Sequence, residues 1–194
     1  MNVHSMTVQI DTRTRILQAA SITFVENGLQ SSMATIADKA RVAMGSLYHF
    51  FPSKEGLILE VCRQIAVTME HVVVANIDPA LPYEERVERY VRAYIEMIWS
   101  DATLAALYDY LTNTPAISRV EMLEIFRTVT EHSVAVFKRS DVEEAEAPLS
   151  AQLTGSFIRG AIRNTLKRHR ATQQPLTEVH VNRIVDMCLR ALTV

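Results

Sequence analysis

Val42-Ala-Met-Gly-Ser-Leu-Tyr-His-Phe-Phe-Pro-Ser-Lys54 is the stretch on which the reading of the chain turns. It spells a short helix, Ala43 to Phe50, that closes before Pro52 and restarts at Ser53. Proline cannot sit in a helix interior, and serine is a good N-cap for a new helix beginning there. Leu47 and Phe51 lie four apart and can face a core, whereas Met44, Tyr48 and the ring of His49 point elsewhere. A helix this short is marginal alone and must be held by neighbours. Those neighbours come immediately before it: Ser32 to Ala40 reads as another short helix, and Arg41-Val42 leaves room only for a tight turn. Two short helices joined this way, the second carrying polar and aromatic groups outward, have the form of a helix-turn-helix whose second helix enters a DNA major groove.

Further anchors stand at fixed distances around this stretch. They are Arg15-Ile-Leu-Gln-Ala-Ala20, Phe24 with Gly28, Ile36-Ala37 and Val42, then Gly45-x-Leu47-Tyr48-x-Phe50-Phe51-x-x-Lys54. In this order they resemble the tetracycline-repressor (TetR) family of one-component bacterial regulators, over about a quarter of the chain. The resemblance implies duplex contacts from Ser32, Thr35, Arg41, Met44, Gly45, Ser46, Tyr48, His49 and Lys54. It places the Tyr48 hydroxyl, the His49 imidazole and the Lys54 ammonium at the DNA backbone. Capping of the 32–40 helix would explain Ser32 equally well. Three positions depart from the family's habit: Arg41 where glycine is usual, Ala43 where serine or threonine is usual, and Met44 where lysine is common. Arg41 in a left-handed turn would cost about 1–2 kcal/mol. Ala43 as N-cap gives up roughly 1 kcal/mol. Met44 cannot donate a hydrogen bond, which leaves it apolar contact such as a thymine methyl.

The totals leave room for this reading. With 194 residues and a formal charge of −2, the chain has enough length for a real core and lacks a globally basic coat. Locally the balance differs. Residues 1–56 carry Arg13, Arg15, Lys39, Arg41 and Lys54 against Asp11, Glu26, Asp38 and Glu55, and from Lys39 to Lys54 there is no acid. That is a small basic stripe on a mildly acidic protein. Cys62 and Cys188 each sit in an apolar helical pattern and read as buried thiols of a reducing compartment. Neither a signal peptide nor an apolar run of about 18 residues is visible, so the expected location is cytoplasmic, away from membranes.

In order, 1–10 reads as a flexible arm, and Asp11 or Thr12 caps a helix with Ile16, Ala20 and Phe24 inward that stops at Asn27-Gly28. Met33, Ile36, Ala37 and Ala40 face inward on the next helix, completing an 11–56 head with its helix-turn-helix at about 32–51. Ser53 opens a long helix to about residue 76, with Leu57, Ile58, Val61, Ile65, Thr68 and Val72 at helical spacing. Prolines 79 and 82 then mark a joint, and 77–194 is expected to form a second domain. Its helices carry Val87, Tyr90, Val91, Tyr94, Ile95 and Ile98, then Leu104, Leu107, Tyr108 and Leu111. One further helix is marked by Val120, Leu123, Phe126, Thr130, Val134 and Phe137. Residues 141–148 form an acidic connector, and two last helices run at about 149–170 and 177–193. The first has Leu149, Leu153, Phe157, Gly160 and Asn164 on one side and ends in a basic run, Lys167 to Arg170, that suits a helix C-terminus. Strand patterns and repeats are missing, and the expected fold is all-α.

Catalytic constellations, metal-ligand spacings and phosphate loops are likewise missing, so no enzyme activity, cofactor or metal is expected. Tyr90, Tyr94, Trp99, Tyr108, Met122 and Phe126 are candidates for lining a cavity, although such stripes are more often plain core. The family's C-terminal domain usually binds an effector. The Tyr90/Tyr94 face of its helix carries no charge, which favours a neutral lipophilic guest. The family also pairs its last two helices into a four-helix dimer bundle, for which Phe157, Gly160, Ile184, Val185 and Leu189 are the candidate seam. The resulting expectation is a homodimeric repressor, released from a palindromic operator by a small lipophilic effector. The same fold without an effector, or a helical-bundle enzyme or carrier, are the alternatives.

Overall fold

The computed structural model describes residues 11–139 and 146–192, the side chain of Ala147 excepted. The arm expected at 1–10 and most of the acidic connector lie outside the described residues. All the described elements are helical: α1 Thr12–Asn27, α2 Met33–Ala40, α3 Met44–Phe50, α4 Lys54–Met69, α5 Tyr83–Ser100, α6 Ala102–Thr112, α7 Arg119–Ile125, α8 Arg127–Phe137, α9 Ala147–Ala171 and α10 Glu178–Arg190. A π-helical turn, Glu70–Val74, comes after α4. The chain is all-α, and it divides into two compact units, Met1–Val61 and Cys62–Val194, with the division inside α4.

The first unit is a head built on local signals. Asp11 caps α1 by accepting from the Thr14 hydroxyl at 2.7 Å and from the Thr14 N–H at 2.9 Å, and these bonds hold its carboxyl below the usual range. Gly28 ends the helix at φ 77°, a conformation glycine adopts without strain. Ile16, Ala20 and Phe24 of α1 are buried together with Ile36 and Ala37 of α2, Leu47 of α3, Phe51, and Leu57 of α4.

In the second unit α5 is the central element, packing against α6, α8, α9, α10 and the π turn. Its stripe is as the spacing predicts, with Val87, Tyr90, Val91, Tyr94, Ile95 and Ile98 all buried. Arg92 donates to Glu88 and to Asn182 of α10 at 2.8 Å. Arg170, in the basic run closing α9, donates to the carbonyls of Ile98 and Trp99 at 2.8 and 3.0 Å. The run stands in the last turn of α9, as a helix C-terminus favours, and Arg170 serves the C-terminus of α5 as well.

Two expectations are corrected here. The helix after Ser53 is not α-helical to residue 76: the π turn takes one extra residue, so Val73 and Val74 turn inward and Val72 outward. The helix expected over 120–137 is two, broken where Phe126 adopts φ −96°, ψ 10°. Val120 and Leu123 are therefore exposed, and α8 buries Val129, Ser133, Val136 and Phe137 instead of Thr130 and Val134. On α9 the side that packs inside the chain is Ala151, Gly155, Ile158, Ile162 and Leu166, while Leu149, Leu153 and Phe157 face solvent. Cys62 and Cys188 are buried, and burial pushes both thiols up to about 11.

Candidate nucleic-acid interface

α3 turns almost everything outward. Leu47 is its one buried residue, and Met44, Gly45, Ser46, Tyr48, His49 and Phe50 are all exposed. Ala43 is the N-cap and makes no side-chain capping bond. On α2, Ser32 caps by accepting from the Thr35 N–H at 3.0 Å, and its hydroxyl lies 2.9 Å from that of Thr35. Both groups remain exposed, so Ser32 has the capping role and still presents a hydroxyl to solvent. Between the helices Arg41 sits at φ 54°, ψ 50° with its N–H bonded back to Asp38. Lys54, half-buried, opens α4, whose first turn is capped by the Ser53 hydroxyl accepting from the Gly56 N–H at 3.0 Å. The arrangement is a helix-turn-helix with exposed polar and aromatic groups on the second helix, a form that fits the major groove.

Known proteins share this head and this fold. The model of "Bacterial regulatory proteins, tetR family" matches residues 16–61. The head is that of the TetR family of bacterial regulators. The regulator UidR of Escherichia coli strain K12 is 50% identical over 54 residues, 27% of this chain and 28% of its own. The HTH-type transcriptional regulator YxaF of Bacillus subtilis is 26% identical over 160 residues, 81% of this chain and 84% of its own. Among solved structures, the regulator FadR of Bacillus subtilis in complex with stearoyl-CoA superposes with a TM-score of 0.71 at 18% identity, covering 92% and 96% of the two chains. As in these TetR relatives, the function is transcription regulation through DNA binding.

Sequence reasoning missed a residue that shapes the TetR turn here. Arg15 of α1 reaches across and donates to the carbonyls of Ala40 and Arg41 at 2.6 and 2.9 Å. It satisfies the end of α2 and pins the left-handed residue where the family usually has glycine. Replacing Arg41 with glycine should relieve the strained φ and stabilise the head by about 0.5–1 kcal/mol, part of the gain being lost to unfolded-state entropy. The same change should weaken duplex binding on all sequences alike if Arg41 meets phosphate. Urea unfolding and a salt titration of binding measure the two effects separately. Unchanged affinity would leave Arg41 as a turn residue only.

The second expected TetR site is partly assembled. Tyr90 and Tyr94 stack with centroids 6.1 Å apart, and Tyr108 stacks on Phe126 at 5.7 Å. Met122 lies against the thiol of Cys62 at 3.9 Å. Trp99 is not in this group: its ring lies under Arg170 at 4.8 Å and beside His169. The expectation of an uncharged interior considered α5 alone and is corrected by α9. Arg159 donates to the Tyr90 hydroxyl at 3.0 Å, and Arg163 lies over the Tyr108 ring at 4.7 Å. Gly155 makes room for this, since a Cβ there would stand 2.9 Å from the Arg159 guanidinium and 3.1 Å from the Phe137 ring. The Tyr94 hydroxyl is fully buried without a hydrogen-bond partner among the described residues. Burial pushes it well above its ordinary value, with Tyr108 adding to the rise and Arg163 and Arg159 opposing it, so it stays a neutral donor.

The seam residues divide. Phe157 is exposed, and a Cβ on Gly160 would meet nothing within 4 Å. Ile184 and Leu189 are half-buried. Val185 is 4% exposed in the single chain, so it belongs to the protomer's own core and is corrected as a seam residue. It occupies the inward side of α10 with Cys188, while Val179 and Met187 face out.

Proposed function

We propose that the protein acts as a homodimeric repressor whose two heads read the half-sites of a palindromic operator and which a small molecule in the second unit releases. The observation that carries the DNA half is the outward set on α3, held in place by the single inward anchor Leu47. The dimer half rests on α9, where Leu149, Leu153 and Phe157 recur every four residues at 63%, 64% and 60% exposure in the isolated chain. A monomeric protein gains nothing from so regular an exposed apolar ridge, and two-fold pairing would cover it. Two heads would then meet half-sites about 34–36 Å, or a multiple, apart. α4 runs unbroken from Lys54 to Met69 and is the covalent route by which occupancy of the second unit would reach the head. The solved FadR relative carries stearoyl-CoA, which supports an effector-responsive reading.

Phosphate contacts release counterions, so log K for operator binding should fall steeply with log salt concentration. Lys54→Ala should weaken binding about equally on all sequences and flatten that slope by roughly 1. Titrations at several salt concentrations on a selected palindrome and on a scrambled duplex measure both effects. A Lys54→Ala protein with the parent's affinity and slope removes Lys54 from the interface.

A further inference from the structure

Arg159 and Arg163 enter the tyrosine layer of the second unit from one side of α9, four residues apart, and neither is paired with a carboxylate among the described residues. Each spends little of its hydrogen-bonding capacity. Arg159 donates to Tyr90 at 3.0 Å and weakly to Ser156 at 3.5 Å. Arg163 makes one long bond, 3.5 Å, to the Thr112 hydroxyl, and its buried Nε has no partner. A guanidinium carries five donors, and a half-buried cation without an anion is an expense that packing alone does not repay. The Tyr94 hydroxyl, buried and unpartnered, is within electrostatic reach of both arginines. Unused donors of two cations and one neutral hydroxyl thus converge beside the stacked rings of Tyr108 and Phe126.

We infer that this layer seats the head of an anionic amphiphile: an organic acid whose carboxylate or phosphate pairs with Arg159 and Arg163 and accepts from Tyr94, with its apolar body against Tyr108 and Phe126. The inference rests on the effector-responsive reading above and names the chemistry of that effector. Fork-shaped guanidinium donors match a planar carboxylate or a phosphate face, and each charge-assisted bond strengthens where water is scarce.

The test uses matched probes on the full-length protein. Octanoate and octyl phosphate are compared with octanol and octylammonium, and 4-phenylbutyrate with 4-phenylbutanol, by calorimetric titration and by thermal stabilisation. The acids should bind about 10- to 100-fold more tightly than the matched alcohols, the range expected for charge-assisted bonds. The octanoate and octyl phosphate arms show which head the seat prefers. Arg163→Gln should remove that preference while leaving operator binding without ligand unchanged. Tyr94→Phe, which removes only one oxygen, should lower acid affinity several-fold without changing that of the alcohols, and it serves should Arg163→Gln fail to fold. Equal binding of acid and alcohol, preference for the ammonium, binding of none of the probes, or acid affinity indifferent to the substitutions would each overturn the assignment. Failure of the unliganded protein to bind any duplex would instead overturn the operator reading, and acids that bind without releasing DNA would overturn the coupling alone.

Discussion

Phe157→Arg should give a folded monomer that no longer holds its operator. In the single chain Phe157 supports nothing, being 60% exposed between Leu153 and Gly160 on the outer side of α9. Its loss therefore costs the protomer little. In a two-fold interface the same residue occurs twice, and burying a phenylalanine is worth roughly 1.5–3 kcal/mol. Losing two such contacts and placing two cations face to face should weaken dimerisation by at least about 3–6 kcal/mol, or some hundred- to ten-thousand-fold. Operator binding falls with it, because a monomer gives up the effective concentration that links its second head to DNA. Sedimentation and helical circular dichroism decide the matter. A variant that remains dimeric with unchanged affinity would show that the α9 ridge is not the seam.

Leu47→Ala should abolish DNA binding by a different route. Leu47 is the one buried side chain of a seven-residue helix that has no side-chain N-cap. Truncating a fully buried leucine costs about 2–5 kcal/mol. A head of this size has little more than that in reserve. α3 should then lose its fixed position and the amides of 44–50 should exchange freely, while those of α5 keep their protection. Hydrogen exchange measured residue by residue reveals the contrast. Protected α3 amides alongside lost DNA binding would mean that the change acted on contact chemistry instead.

What the sequence disclosed was local. The caps at Asp11 and Ser32, the stop at Gly28 and the buried stripe of α5 depend on residues within a few positions of one another, and each is where spacing puts it. What stayed hidden depends on partners far along the chain. An extra residue in a turn leaves no composition signal, so the π turn and the outward Val72 were unreadable. Phe126 continues an apolar repeat, and nothing in that repeat announces the break. Val185 and Phe157 both sit in apolar patterns, and only packing tells which faces its own chain. Arg159 and Arg163 did leave a trace. Each comes one position after a buried isoleucine, Ile158 or Ile162, and so stands on the flank of the inward stripe. That placement is legible in the spacing of α9, whereas the tyrosine hydroxyls it serves lie far off along the chain on another helix.

The two cysteines have a practical consequence for anyone wishing to watch this regulator move. With both thiols raised to about 11, the reactive thiolate amounts to about one part in ten thousand at neutral pH, even before burial restricts access. Alkylating dyes would see the folded chain as almost blank. A cysteine introduced on the outward face of α3 would then be the one place a fluorophore attaches, with the native thiols left in place. Slow labelling of Cys62 and Cys188, in turn, would time the rare openings of the helices that enclose them.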